Sequence, residues 1–289
     1  MQQRLLFFRS FLLEKMQRRI LIVDDHDDLA TALSDVFSKT GYLVKVTESR
    51  DEAVRLDEMN DYDIVITDLD GDKAFPKDSA NQKEDVCLPE KPIEESDRSH
   101  VKAFKVCATH FQREDFNEDE LKNLFETVLN YKTQFVDKTP MVQQIREKIE
   151  FVFPSAIGLM HSILDYLMKR VEKVGVINPE SSNLFIALDE AFVNAVKHGN
   201  KYDASKIVKV SAEVSTKEAR FTIEDEGEGF DVSAIPDPTN PENLFKTSGR
   251  GVLFIHNIMD EVTYNERGNR LTMIKKSDNH KNDEQNIQS

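Results

Sequence analysis

Residues 187–200 read ALDEAFVNAVKHGN, in which Glu190 and Asn194 stand four apart and so project from one face of a helix. Leu188, Phe192 and Ala195 bury the opposite face. Further on, residues 221–231 read FTIEDEGEGFD, and a strand's period of two places Phe221, Ile223 and Asp225 on the same face. A carboxylate on the apolar side of a strand end needs a donor, because burying it bare is costly. An adenine amino group is one such donor. Gly227 and Gly229 beside it permit positive φ and a close approach of backbone to a ligand. A third stretch, SGRGVLFIHNIMDEV at 248–262, sets Gly249, Arg250 and Gly251 ahead of a helix whose first amides can hold phosphates.

Around these stretches the pattern predicts a strand at 149–153, helices over 157–174, 183–197 and 251–259, and alternating strands at IVKVSAEV and ARFTIED. A hairpin, VTYNERGNRLTMIKK, closes this half. Upstream, ILIVDD at 20–25 is an apolar run ending in acids, which suits a buried parallel strand. Leu29, Leu33, Val36 and Phe37 give a helix that Gly41 stops, and YLVKV gives a second strand. A helical stretch at 51–59 and a strand from Tyr62 to Thr67, ending at Asp68, complete a β-α-β-α-β alternation. A weak fourth strand is expected near DVCLP, and Asn117 caps a helix running to Tyr131. The apolar pattern lapses from Lys132 to Pro140, which reads as a domain boundary.

The chain has 289 residues, 53 acidic against 38 basic, and a net charge of −15. That length predicts two domains. That charge repels phosphate backbones and anionic lipid, so neither nucleic acid nor a membrane is expected as a direct partner. Cys87 and Cys107 lack metal-ligand spacing and are expected as ordinary thiols in a reducing cytoplasm. Residues 1–15, MQQRLLFFRSFLLEK, have apolar runs broken by Arg9 and Ser10, too short to span a bilayer and without a cleavage site. They read as an untranslated leader before a start at Met16, or as a short docking helix. The polar tail 278–289 is expected to be disordered.

Taken in order, the three glycine- and asparagine-bearing stretches resemble the asparagine box and two glycine boxes of the GHKL ATPases, over about 147–277. They are most similar to anti-sigma-factor serine/threonine kinases. The matched runs are Glu190 to Gly199, Asp225 to Phe230 and Gly249 to Val262. The resemblance implies ATP and Mg²⁺ as cofactors, with Asn194 on the metal. Glu190 would be the catalytic base for γ-phosphoryl transfer, and Asp225 the adenine reader with Gly227 and Gly229 making room. Gly249, Arg250 and Gly251 would meet the phosphates, with Lys197 as an additional phosphate contact. It implies a STAS-type antagonist as substrate, with a sigma factor as an alternative partner. The short loop 231–248 resembles that group's abbreviated ATP lid. His198 has the bland role of a cation at a helix C-terminus. His161 lacks the acid and proline that usually follow a phosphorylated histidine.

Residues 16–133 resemble a response-regulator receiver domain. Asp24 and Asp25 would be a Mg²⁺-binding pair and Asp68 the phospho-acceptor, implying a histidine kinase upstream. Where that family has a lysine, this sequence offers Arg113 or Glu114, so phosphorylation of Asp68 is expected to be slow or absent. The predicted fold is a doubly wound parallel α/β sheet, a linker at 134–146, and an α+β sandwich at 147–277. The whole reads as a cytoplasmic signalling kinase regulated by its receiver-like half, with a homodimer as one assembly. Two other readings stand beside it, a non-catalytic ATP-dependent binding switch and a histidine-kinase-type phosphorelay component.

Overall fold

Isoleucine, leucine and valine in unbroken succession fill both faces of a strand, so the run at 20–23 belongs inside a sheet. In the computed structural model it does. The structure describes residues 17–26, 28–56, 61–75, 86–90, 101–111, 116–137, 146–177, 182–232 and 250–277. The strand β1 (Arg19–Asp24) lies between β2 (Leu43–Thr47) and β3 (Ile64–Asp70) and is parallel to both. Ile20 and Ile22 pack on one face against helix α1 (Ala30–Lys39), while Leu21 and Val23 face a second core with Ala53 of the short helix α2 (Arg50–Val54).

Beyond β3 the doubly wound parallel pattern stops. The next strand, β4 (Val101–Cys107), runs antiparallel to β3, with Asp68 opposite Phe104. The stretch at DVCLP is not a strand: Val86 to Leu88 turn, and the sheet position is taken by VKAFKVC. Strand β4 then pairs in parallel with β5 (Arg146–Pro154), the first strand of the other half. Strands β6 (Ile207–Val214), β7 (Glu218–Asp225), β8 (Glu261–Tyr264) and β9 (Arg270–Lys276) continue the same sheet. Its order is β2-β1-β3-β4-β5-β6-β7-β9-β8. The expectation of two separate sheets is corrected: hydrogen bonds run across the predicted boundary.

Helices α3 (Glu118–Tyr131), α4 (Met160–Val174), α5 (Leu184–Val193) and α6 (Arg250–Ile258) join α1 over one face. Their buried residues form a single core that spans both halves, with Phe125, Phe151, Phe153 and Phe192 in its middle. Asn117 caps α3 as expected, its Oδ1 accepting from the amides of Asp119 and Glu120. The segment predicted to break at Lys132 instead continues as a π-helical turn to Val136, and Lys132 is buried. Its ammonium lies 2.5 Å from Asp68 Oδ2 and 3.4 Å from Asp137. Asp137 in turn meets Arg170 of α4 at 3.1 Å, and Arg170 pairs with Glu147 of β5. A buried chain of charges thus stitches β3 to α4 and β5.

The cysteines are not free thiols: Cys87 and Cys107 form a disulfide. It fastens Val86–Glu90 to β4 on the face opposite the main core, where Lys105 donates to the Leu88 carbonyl and Glu90 pairs with Lys209 of β6. The bond is 20 residues apart in sequence. A closed loop of that size restricts the unfolded chain enough to stabilise the fold by about 3 kcal/mol. Thermal unfolding with and without a dithiol reductant should therefore show a lower Tm in the reduced protein, and Cys87→Ser should match the reduced value whatever the redox state.

The leader 1–15, the tail 278–289, most of the linker 134–146 and the pair Arg113 and Glu114 fall outside the described residues. Among the described residues no helix is long and apolar enough to cross a membrane.

Candidate functional site

Helix α5 continues into a π-helical turn, Asn194–Gly199, and this widened turn carries the second half of the ALDEAFVNAVKHGN stretch. π-Helical turns are uncommon and concentrate at functional sites. Leu188, Phe192 and Ala195 are buried as the sequence required. Asn194, Ala195, His198 and Gly199 line a cavity of about 300 Å³ whose other walls include Asp225, Gly229, Phe230 and Val252. Two of the three stretches bring predicted site residues to this cavity, and the third reaches it through Val252 of α6.

Asp225 ends β7 beneath the turn. Its Oδ1 accepts the Gly227 amide at 2.7 Å, and Oδ2 has no donor among the described residues. Burial pushes its carboxyl above the usual range, with the Gly227 amide opposing that shift. The glycines around it are steric necessities. A Cβ on Gly199 would strike the Asp225 carboxyl, and one on Gly227 would strike the Gly199 carbonyl. Gly229 has φ +77° and its missing side chain would fall on the Arg267 carbonyl. Glu190 stands outside the cavity lining, against the first turn of α6, where a Cβ on Gly251 would overlap its carboxyl group. Lys197 is exposed and does not line the cavity. Gly249, the loop 233–249 and the side chain of Arg250 lie outside the described residues.

The β8–β9 hairpin supplies walls that sequence reasoning missed. Tyr264, Gly268, Asn269 and Leu271 line the cavity, and Tyr264 packs edge-on against Phe230. Burial raises the Tyr264 hydroxyl to about 12, so it stays protonated. The hairpin was legible, but its contact with the Gly229 turn, through the Phe230 amide and the Arg267 carbonyl, depends on pairing of β7 with β9. Local pattern carries no signal for it.

Residues 153–275 match the family model described as a histidine kinase-like ATPase domain. The C-terminal half is thus similar to such an ATPase domain. Over 142 residues the chain is 29% identical to a serine-protein kinase, RsbW, of Staphylococcus epidermidis, covering 46% of this chain and 89% of that protein. The RsbW serine-protein kinase of Staphylococcus aureus strain Newman is 28% identical over the same coverage. An ATPase domain binds ATP, and the cavity fits that ligand: its volume lies at the lower end for small-molecule sites, and its walls are apolar apart from a few polar groups. Asp225 presents a carboxylate acceptor to this cavity, and the glycines around it leave its approach free of side chains. Asp225→Asn replaces that carboxylate with an amide. Hydrogen bonds to charged groups contribute about 1.5–3 kcal/mol, so ATP affinity should fall roughly ten- to hundredfold. Calorimetric titration showing unchanged affinity would remove Asp225 from this role.

Asp24 and Asp68 stand opposite each other near the ends of β1 and β3. Among the described residues no group of three acidic, histidine or cysteine side chains is placed to hold a metal. Asp24 is spent on the start of α1, its Oδ2 accepting the amides of Leu29 and Ala30 at 3.0 and 2.8 Å. Asp25 faces Lys73 at 3.2 Å. Asp68 pairs with Lys132, a buried cation outside the position where the receiver family has its lysine and this sequence has Arg113 or Glu114. His161 is exposed on α4, packed against Phe185 within the ATPase domain and not on a separate helix.

Proposed function

We propose that the protein is an ATP- and Mg²⁺-dependent serine/threonine kinase of the anti-sigma-factor type, acting on a STAS-type antagonist. The observation that carries this reading is the placement of the Glu190 carboxyl beside Gly251, at the start of a helix that borders the Asp225 cavity. Nucleotide binding alone has no use for a carboxylate at that point, where helix amides favour negative phosphate charge. The relatives named as serine-protein kinases support the same reading.

In this account Asn194 holds Mg²⁺ through its amide oxygen, and the metal supplies charge neutralisation to the phosphates. Asp225 fixes the adenine. Glu190 accepts the proton of the attacking serine or threonine hydroxyl, and Arg250 with the Gly251 amide meets the phosphates. The N-terminal half serves as a docking and regulatory platform, because Asp68 is already committed to Lys132. The test is incubation with labelled ATP and each STAS protein encoded near the gene. Acid-stable label on a serine or threonine supports the proposal. Acid-labile label on His161 moves the protein to the phosphorelay reading, and tight ATP binding with no transfer moves it to the binding switch.

A further inference from the structure

Asn200 follows Gly199 at the end of the π-helical turn and is completely buried. Its side-chain amide is fully used. Oδ1 accepts the Glu226 amide at 2.8 Å, while Nδ2 donates to Ser155 Oγ at 2.6 Å and to the Ile207 carbonyl at 2.8 Å. The reverse orientation of the amide would set N–H against N–H at Glu226 and oxygen against oxygen at Ile207, so the partners fix it. The Glu226 carboxylate closes the ring by accepting the Ile207 amide at 2.8 Å.

The three segments joined in this way are the end of β5, the start of β6 and the residue directly after Asp225. On its other side Asp225 is held by Asn269, whose Nδ2 donates to the Asp225 carbonyl at 2.6 Å and whose carbonyl accepts the Asp225 amide at 3.0 Å. Gly199 presses against the Asp225 carboxyl from above. A carboxylate discriminates between bases only if its position is fixed, because adenine presents an amino donor where guanine presents a carbonyl acceptor.

We infer that Asn200 is a positioning residue for Asp225: its amide locks the turn after β7 and thereby sets the preference for adenine over guanine nucleotides. The inference rests on the ATP-binding reading above. It makes no claim that Asn200 touches the nucleotide.

The experiment measures ATP and GTP affinity by calorimetry for the full chain and for Asn200→Ala. The wild type should favour ATP strongly. Loss of a buried acceptor leaves the Glu226 amide unpaired, so in Asn200→Ala the ATP affinity should fall roughly tenfold or more. GTP affinity should fall far less, so the ATP/GTP ratio collapses. A merely structural role would lower both affinities together and preserve the ratio, and that result overturns the proposal. Should Asn200→Ala not fold, Ser155→Ala removes the 2.6 Å contact that orients the amide and should shift the ratio in the same direction by less. An unchanged ratio in that variant is equally fatal. A wild type that binds neither nucleotide refutes the ATP-site reading itself, a different failure.

Discussion

Replacing Lys132 with methionine is expected to destabilise the fold by about 3–5 kcal/mol, the usual cost of leaving one member of a buried ion pair behind. The side chains of Lys132 and Asp68 are 4% and 7% exposed, so water cannot take over the lost partner. Asp137 keeps Arg170 and the Tyr166 hydroxyl, which concentrates the damage on Asp68. Burial already lifts the Asp68 carboxyl to about 6 against the opposing pull of Lys132. Removing that pull raises it further, so the variant's Asp68 takes up a proton on folding. An acid whose folded pKa lies above its unfolded value loses stability as pH rises from the unfolded pKa, near 4, through the folded one. Urea denaturation should thus show a larger deficit for Lys132→Met at pH 8 than at pH 5. An equal deficit at both would mean that the pair is not the origin of the loss.

For Glu190→Ala the expected result is a protein that binds ATP as the wild type does and transfers phosphate on the order of a hundred to ten thousand times more slowly. That range is the contribution of a positioned base. Binding should survive because Glu190 lies outside the cavity lining, and its truncation opens space beside Gly251 without removing a wall. Single-turnover transfer from labelled ATP measures the first quantity and calorimetry the second. Full transfer activity in the variant would sink the role of Glu190 and favour a non-catalytic switch.

The sequence made the local elements legible because their signals are local. The alternation of β6 and β7, the Asn117 cap and the apolar stripes of α4 and α5 each lie within a few residues of one another. The glycines around the Asp225 cavity were legible for a related reason: Gly199, Gly227 and Gly229 mark places where no side chain fits. What escaped depends on pairing between distant segments. The direction of β4 is set by its partners, and a run such as VKAFKVC reads the same in either direction. Lys132 reaches Asp68 across 64 residues, and Cys87 meets Cys107 only once β4 takes its place. Nor does the sequence show that Asp24 accepts the amides at the start of α1.

The pairing of β4 with β5, from Val101 opposite Arg146 to Cys107 opposite Val152, bears on how the protein can be dissected. A fragment cut near residue 145 to isolate the ATPase domain would carry β5 as a raw edge along its length. Unpaired main-chain groups on such a strand invite a second copy to dock there. The fragment's core would also lose Phe125, whose ring meets Phe151 at a tilt and Phe153 edge-on. Self-association of that fragment would be a product of the cut, and its enzymology would describe a molecule missing part of its own interior.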